Sequence, residues 1–258
     1  MKGLSGASLS RLPSDQYILS FDRAADGASS RASTGTYAEP ALSGLQTRPH
    51  RIAIDGEREV VIALLHPESA LRLAGRSLAS LSDRTARVAD LSGNPPDGPD
   101  RQVRLENTAT PEEALLELKT WIQARIETQA PLSEPADRVA SATRLSRTES
   151  SQECRVDDLA NHAGVTSRQL LRDFDNCLGI APAVWLRLVR LQRTLRELTR
   201  GEAGSVVSAR NGFADQSHMN REIRRLTGTA TRELVCHVAV PEHQLLMSAL
   251  AQRVLFTQ

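Results

Sequence analysis

Residues Val156 to Phe174 read VDDLANHAGVTSRQLLRDF. Val156, Leu159, Ala160 and Ala163 fall at i, i+3, i+4 and i+7, the spacing of one apolar helix face, and Gly164 stops that short helix. Thr166 is placed to cap a second helix, with Gln169 three residues on completing a capping box. Leu170 and Phe174, four apart, give this second helix a buried face. Two short helices joined by a glycine turn spell a helix-turn-helix, whose second helix can enter a DNA major groove. Helical hairpins of this kind also occur in proteins that bind no nucleic acid, so the motif alone leaves a plain packing role open.

The arrangement recurs 48 residues on, from Gly164 to Gly212, where Gly212 to Gly228 read GFADQSHMNREIRRLTG. Ser205 is read as the cap of a short helix carrying Val206, Val207 and Ala209; Gly212-Phe213 form the turn; Asp215 caps a helix whose Met219 and Ile223 face inward. Two copies are too few for a solenoid, so a duplicated reader fits better. Between the copies, Pro182 stands at a helix start and Gly201 past its end, as those residue types favour. At ~1.5 Å per residue the intervening helix is roughly 27 Å long, close to the ~34 Å between major-groove faces on one side of a duplex. Trp185, Leu188, Leu195 and Leu198 are expected to face the two small cores, leaving Arg187, Arg190, Arg193, Arg196 and Arg200 for solvent or phosphate.

Composition limits the rest. The 258 residues are 40% hydrophobic and 24% charged, the balance of a soluble globular chain long enough for two domains. The longest apolar run, Val60 to Leu65, is six residues, far short of the ~18 a membrane helix needs. No apolar stretch follows Met1 as a secretory leader requires, so the expected location is the cytoplasm, with no membrane partner. Cys154, Cys177 and Cys236, 23 and 59 residues apart, match no short zinc spacing and read as reduced thiols. Aromatic residues are 3% of the chain, which disfavours base-stacking platforms. Net charge is +1 overall, but residues 182–235 hold 10 Arg against 5 acids, a local excess able to attract a polyanion.

The amino-terminal half is mixed. A strand is expected at Gln16 to Phe21. Arg51 to Ile54 and Glu59 to Leu65 read as a hairpin about an Asp55-Gly56 turn. Pro67 opens a short helix ending at Gly75, residues 92–102 form a loop, and Pro111 opens a helix whose Leu115, Leu118, Ile122 and Ile126 make an apolar stripe. That stripe either packs on its own domain or pairs two protomers. The fold class is therefore α+β: a mixed, partly β domain, either a closed or an incomplete barrel, then an all-α domain with two helix-turn-helix units joined by a long helix. The expected divisions are 1–110, a sensor or oligomerisation domain; 111–133, a connecting helix and linker; 134–240, the reader; and 241–258, a helical tail. A fragment beginning near Glu134 is expected to bind duplex DNA unaided.

The two quoted runs together resemble the DNA-binding domain of AraC/XylS-type transcriptional regulators, over roughly residues 150–235 and with both units at the family's separation. The resemblance implies base contacts from exposed positions of the two recognition helices: Arg168, Leu171 and Arg172 in the first, Gln216, Ser217, Asn220 and Arg221 in the second. Leu171 offers no hydrogen bond and could at most touch a thymine methyl. Thr231 stands where the family has proline at the next helix start. Gly44 to Gly93 is similar to a β-rich domain that often precedes this reader, which implies a sensor for a small-molecule effector of unknown identity and site, with a homodimer as a further candidate assembly. The family version begins with additional strands and carries Gly-Gly where this chain has Glu68-Ser69.

No catalytic constellation stands out. His50 and His66 lack partners for a metal, His66-Pro67-Glu68 lacks the paired cysteines of a zinc deaminase, Cys154 has no adjacent base, and no phosphate loop or nucleophile elbow occurs. His218, on the second recognition helix, reads as a packing or phosphate contact. The sequence therefore points to a DNA-binding transcriptional regulator with no metal, cofactor or catalytic residue. A DNA-repair or DNA-modifying enzyme using the same module, and an adaptor binding protein in place of DNA, are the alternatives.

Overall fold

The computed structural model describes residues 7–24, 40–54, 58–91, 111–148 and 154–238. The described residues hold six strands, five of them ahead of the first helix: β1 Ala7–Arg11, β2 Tyr17–Ala24, β3 Ala41–Ser43, β4 His50–Ile54, β5 Arg58–Leu65 and, after it, β6 Thr85–Arg87. All pairings are antiparallel: β1 with β4 in one two-stranded sheet, and β5-β2-β3-β6 in a second. Both strands expected around Asp55-Gly56 exist, but they do not form a hairpin. β4 runs against β1, with Ala7 opposite Ile54 and Arg11 opposite His50, while β5 runs against β2, with Tyr17 opposite Leu65. The turn signal predicts a reversal of the chain, whereas the partner of each strand is chosen by burial. Val61, Ala63 and Leu65 of β5 point alternately into the core, against a β2 whose Tyr17, Ile18 and Leu19 are all buried. A central strand covered on both faces binds its neighbours more strongly than a two-stranded ribbon would.

Ten helices among the described residues complete the chain: α1 Pro67–Ala74, α2 Val88–Leu91, α3 Pro111–Thr128, α4 Glu134–Ser146, α5 Val156–His162, α6 Ser167–Leu178, α7 Pro182–Thr199, α8 Gly204–Arg210, α9 Gln216–Thr227 and α10 Thr231–Val238. A 3-10 turn, Ala79–Leu81, lies between α1 and β6. α1 starts at Pro67 and ends at Gly75, whose φ of 64° suits glycine and whose N–H donates to Leu71 O at 2.9 Å. The apolar stripe on α3 turns inward: Leu118 and Ile122 are buried with Trp121, and Ile126 packs against them, leaving Leu115 exposed. The expected loop at 92–102, the Asp55-Gly56 turn and the tail at 241–258 lie outside the described residues.

The chain is α+β in the expected order, a small sheet region followed by an all-α region with two helix-turn-helix units, yet its cores divide elsewhere than its sequence. One continuous core runs from Tyr17 and Leu42 through Leu71, Leu118 and Val139 to Leu170, Phe174, Trp185 and Val189. The second core contains Leu191, Leu195, Val207, Phe213, Met219, Ile223 and Leu234, together with Leu12. The division thus falls inside α7, between Val189 and Leu191, far from the junction near residue 133. Contacts bolt the first reader to the sheet region. Leu78 N donates to Cys177 O at 2.9 Å, Ser77 Oγ donates to Asn176 O, and Arg144 pairs with Glu68 at 2.5 Å. At Gly179, with φ of 70°, a Cβ would stand 2.2 Å from Ala79 O. A fragment from Glu134 to the carboxy terminus should therefore be less stable than the intact chain by several kcal/mol, at about 1.5–3 kcal/mol for each apolar side chain uncovered. Equal urea midpoints for fragment and full chain would show the halves to be independent.

A polar seam lies beside this core. Asp15 is buried, and burial raises its carboxyl above the usual range, opposed by the charges of Arg147, Arg196 and Arg193. Arg147 donates to His66 Nε2, and the Gln16 amide lies 3.5 Å from His66 Nδ1. Burial first, then Arg147 and Arg196, push His66 down to about 3 from 6.5. Its folded pKa is below the unfolded one, so the unfolded chain takes up the extra proton in that window. The stability conferred by the neutral ring is whole above pH 6.5 and falls as pH drops toward 3. Asp15 acts in the opposite sense, its raised pKa opposing the loss at acid pH. At about 1.4 kcal/mol per unit, His66 should cost the chain about 2 kcal/mol between pH 7 and 5. His66→Gln, which keeps an acceptor for Arg147, should flatten that slope in urea titrations; an unchanged slope would place the acid sensitivity elsewhere.

Candidate nucleic-acid interface

The first helix-turn-helix consists of α5 and α6. Asp158 Oδ2 accepts from Arg155 N at 2.8 Å at the start of α5, and Gly164, at φ 69°, reverses the chain. Thr166 caps α6 by accepting from Gln169 N at 3.2 Å. The other half of the expected capping box is absent, because the Gln169 amide turns to Asp173 Oδ1 at 2.8 Å. Asp173 is buried and also takes Arg138 Nε at 2.8 Å, so a charged pair and Leu170, Phe174 and Cys177 form the inner face of α6. The outer face carries Arg168, Leu171 and Arg172, all exposed. Leu171 is 48% exposed, an apolar side chain held outward on a helix whose inner leucines are fully covered.

The second unit is α8 and α9. α8 begins two residues earlier than Ser205 would cap it: Ala203 is the N-cap, and Ser205 lies within the first turn, its carbonyl accepting from Ser208 Oγ at 2.9 Å. The Gln216 side chain lies over Gly204, its Nε2 2.6 Å from where a Cβ would stand. The turn is fixed by Asn211, buried, whose amide donates to Glu197 Oε2 at 2.9 Å and Val207 O at 3.0 Å. Asp215 caps α9, accepting from His218 N at 2.7 Å; that hydrogen bond, with the nearby Arg221 charge, holds its carboxyl below the usual range. His218 has its packing role: its ring meets Phe213 edge-on at 5.6 Å and Nδ1 accepts from Ala214 N at 3.3 Å. Gln216, Ser217, Asn220 and Arg221 are all exposed on α9, with Met219 and Ile223 buried beneath them.

The arginines separate into two groups. Arg190 stacks over Phe213 at 4.8 Å and reaches Glu222 at 3.5 Å, and Arg193 donates to the carbonyls of Ser146 and Thr148 at the end of α4. Arg210 pairs with Glu202 and Glu197, and Arg225 with Glu222. Arg190 and Arg193, expected to be left for solvent or phosphate, are each engaged in holding helices together. By contrast, Arg168, Arg172, Arg221 and Arg224 are exposed and in no ion pair among the described residues. Arg224 was missed by the sequence reading, though its spacing of four from Asn220 places it on the same α9 face.

Chemistry other than binding finds little to build on. Among the described residues no three His, Cys, Asp or Glu side chains converge as a metal site, and no helix is long and apolar enough to cross a membrane. Cys154 and Cys177 are free thiols. Burial, then a nearby carboxylate, pushes both upward, the opposite of what a thiolate nucleophile needs.

Residues 159–235 match a family of helix-turn-helix domains. YbfI of Bacillus subtilis, named as an uncharacterised helix-turn-helix-type transcriptional regulator, is 28% identical over 86 residues, which is 33% of this chain and 31% of that protein. The chain thus matches about a third of the curated relative's length. In fold, the chain is similar to ToxT of Vibrio cholerae bound to an unsaturated fatty acid, with a TM-score of 0.51 at 10% identity over 90% of this chain and 91% of that one. A second ToxT structure gives 0.51 at 9% identity over 90% and 94%. The likeness extends through both halves, and the two helix-turn-helix units, with α7 between them, make residues 159–235 a helix-turn-helix domain of the AraC type.

Proposed function

We propose that this protein is a sequence-specific, effector-responsive transcriptional regulator that reads two adjacent major-groove faces in the cytoplasm. The observation that carries the reading is the division of side chains on α6 and α9. Every inward position is apolar or paired, while Arg168, Leu171 and Arg172 on one and Gln216, Ser217, Asn220 and Arg221 on the other stand exposed. Arg can pair with guanine and Gln with adenine at a groove edge, and Leu171 can pack on a thymine methyl. α7, 18 residues long, spaces the two units by roughly 27 Å. The fatty acid bound to ToxT supports a small-molecule effector in a protein of this fold. The upward-shifted thiols favour a regulator over a repair enzyme that would transfer a group to cysteine.

The test is selection from a random duplex library. Arg168→Ala and Gln216→Ala should each relax preference at a few base pairs, at about 1–3 kcal/mol per lost bidentate contact, and the two affected clusters should lie about one helical turn apart. Arg200→Ala, exposed at the end of α7, serves as comparison: loss of a phosphate contact weakens all sequences alike and lowers the salt slope by about one. If Arg168→Ala and Gln216→Ala both return the wild-type motif at reduced affinity, they position the helices and do not read bases.

A further inference from the structure

The second core contains one residue from the first 133 among the described residues, Leu12, which is buried with Leu191, Leu195, Val207, Phe213, Met219, Ile223 and Leu234. It belongs to the corner between β1 and β2, where Arg11, Leu12, Pro13, Ser14 and Asp15 are all buried. The corner is anchored at both ends. On the sheet side, Ser14 N donates to Gln46 O at 3.0 Å, and Arg11 and Tyr17 enter the paired strands. On the reader side, Gln192 of α7, itself buried, donates its amide to Pro13 O. Asp15 lies in the field of Arg193 and Arg196, which are on α7 as well.

We infer that the Leu12 corner is a strut that fixes the orientation of the second reader relative to the first, with Leu12 and Gln192 as positioning residues for operator spacing. The first reader shares its core with the sheet region, through Phe174, Leu178 and Trp185. Among the described residues the second reader is otherwise joined to that body through α7, and a single helix still flexes and twists by small amounts along its length. A second attachment removes that freedom. Leu12 is buried in the core that the α7 leucines share with α8 and α9, so a displacement of the second unit must either withdraw Leu12 or open a cavity. The hydrogen bond to Pro13 O adds direction, because a buried carbonyl left without a donor is costly. Two rigidly related readers tolerate one separation of their base clusters; two loosely related ones tolerate several.

This inference rests on the DNA-binding reading, and one measurement separates the two. Labels at Asp175→Cys and Arg224→Cys, both exposed positions, in a Cys154→Ser, Cys236→Ser background, report the distance between α6 and α9 by spin-label spectroscopy without DNA. The strut predicts one narrow distribution in the parent and broadened ones in Leu12→Ala and Gln192→Met, the latter close to isosteric and lacking the donor. In the DNA arm, the full chain is presented with its selected duplex and with the same duplex lengthened by one base pair between the two clusters. The parent should lose about ten- to a hundredfold in affinity on lengthening, the cost of one or two misplaced base contacts. Each variant should lose less than about threefold, a fraction of that mismatch cost. Equal narrow distributions in folded variants overturn the strut, as does an undiminished spacing penalty. If Leu12→Ala fails to fold, Gln192→Met decides by the same two criteria. A broadened distribution in a chain that binds no duplex supports the strut and sinks the DNA reading instead.

Discussion

Trp185→Ala is expected to destabilise the protein by about 3–5 kcal/mol, a large part of the ~5–15 kcal/mol that holds a typical domain folded. Trp185 is fully buried in the first turn of α7, in the core that the sheet region shares with the first reader. Its indole Nε1 donates to Ser146 Oγ at 2.8 Å, and Ser146 Oγ donates in turn to Thr143 O at 2.9 Å. Removing the ring therefore opens a cavity and breaks the tie from α7 to the end of α4. Trp185→Phe separates the two contributions: most of the volume remains and the hydrogen bond is lost, for a cost nearer 1–2 kcal/mol, within the range for an unmade buried bond. Urea titrations of the three proteins measure both. A loss below about 1 kcal/mol for Trp185→Ala, well under the usual cost of such a truncation, would mean that the site collapses around the missing ring.

The second large effect belongs to Asp173. Its side chain is 3% exposed and its carboxylate takes Arg138 Nε at 2.8 Å and the Gln169 amide at 2.8 Å. The interaction with Asp173 is the first cause that raises Arg138, with Glu134 adding to it. Asp173→Ala leaves the guanidinium facing a helix interior with Glu134, 87% exposed, as its remaining acidic partner. Breaking such a pair by removing one member costs about 3–5 kcal/mol. Replacing both, as Arg138→Met with Asp173→Leu, should recover much of that loss, because the desolvation of both charges disappears together. Additive losses in the double variant would show that the two side chains act independently. The pair also places α6 against α4, so Asp173→Ala should weaken duplex binding more than an exposed substitution such as Asp175→Ala.

What could be read from the sequence follows the range over which each signal acts. Caps and stops are local, so Thr166, Asp215, Pro67, Gly75 and Gly228 are where the residue types place them. The inward and outward faces of α6 and α9 follow from spacings of three and four, and the seven expected reading positions are all exposed. Partnerships across long separations carry no such signal. β1, with the sequence ASLSR, has no β-branched residue, and β3 and β6, at three residues each, are too short for alternation to register. The role of Arg190 depends on Phe213, and that of Arg193 on the carbonyls at the end of α4; both look like solvated arginines until the helices are placed. Leu12 is the extreme case, a leucine beside a proline whose partners in the second core are all more than 170 residues away in the chain.

The division of the cores inside α7 bears on how such proteins can be recombined. A chimaera joined near residue 134, the natural cut by composition, would bring a foreign α4 and α6 against a sheet region shaped for Val139, Phe174 and Cys177, and would misfit across a wide apolar surface. A graft that begins after Val189 would exchange one reader as a unit, and its compatibility would depend on how the incoming core receives Leu12. On the proposed DNA-reading function, new operator preferences would be more readily acquired by replacing the second unit than by replacing the pair.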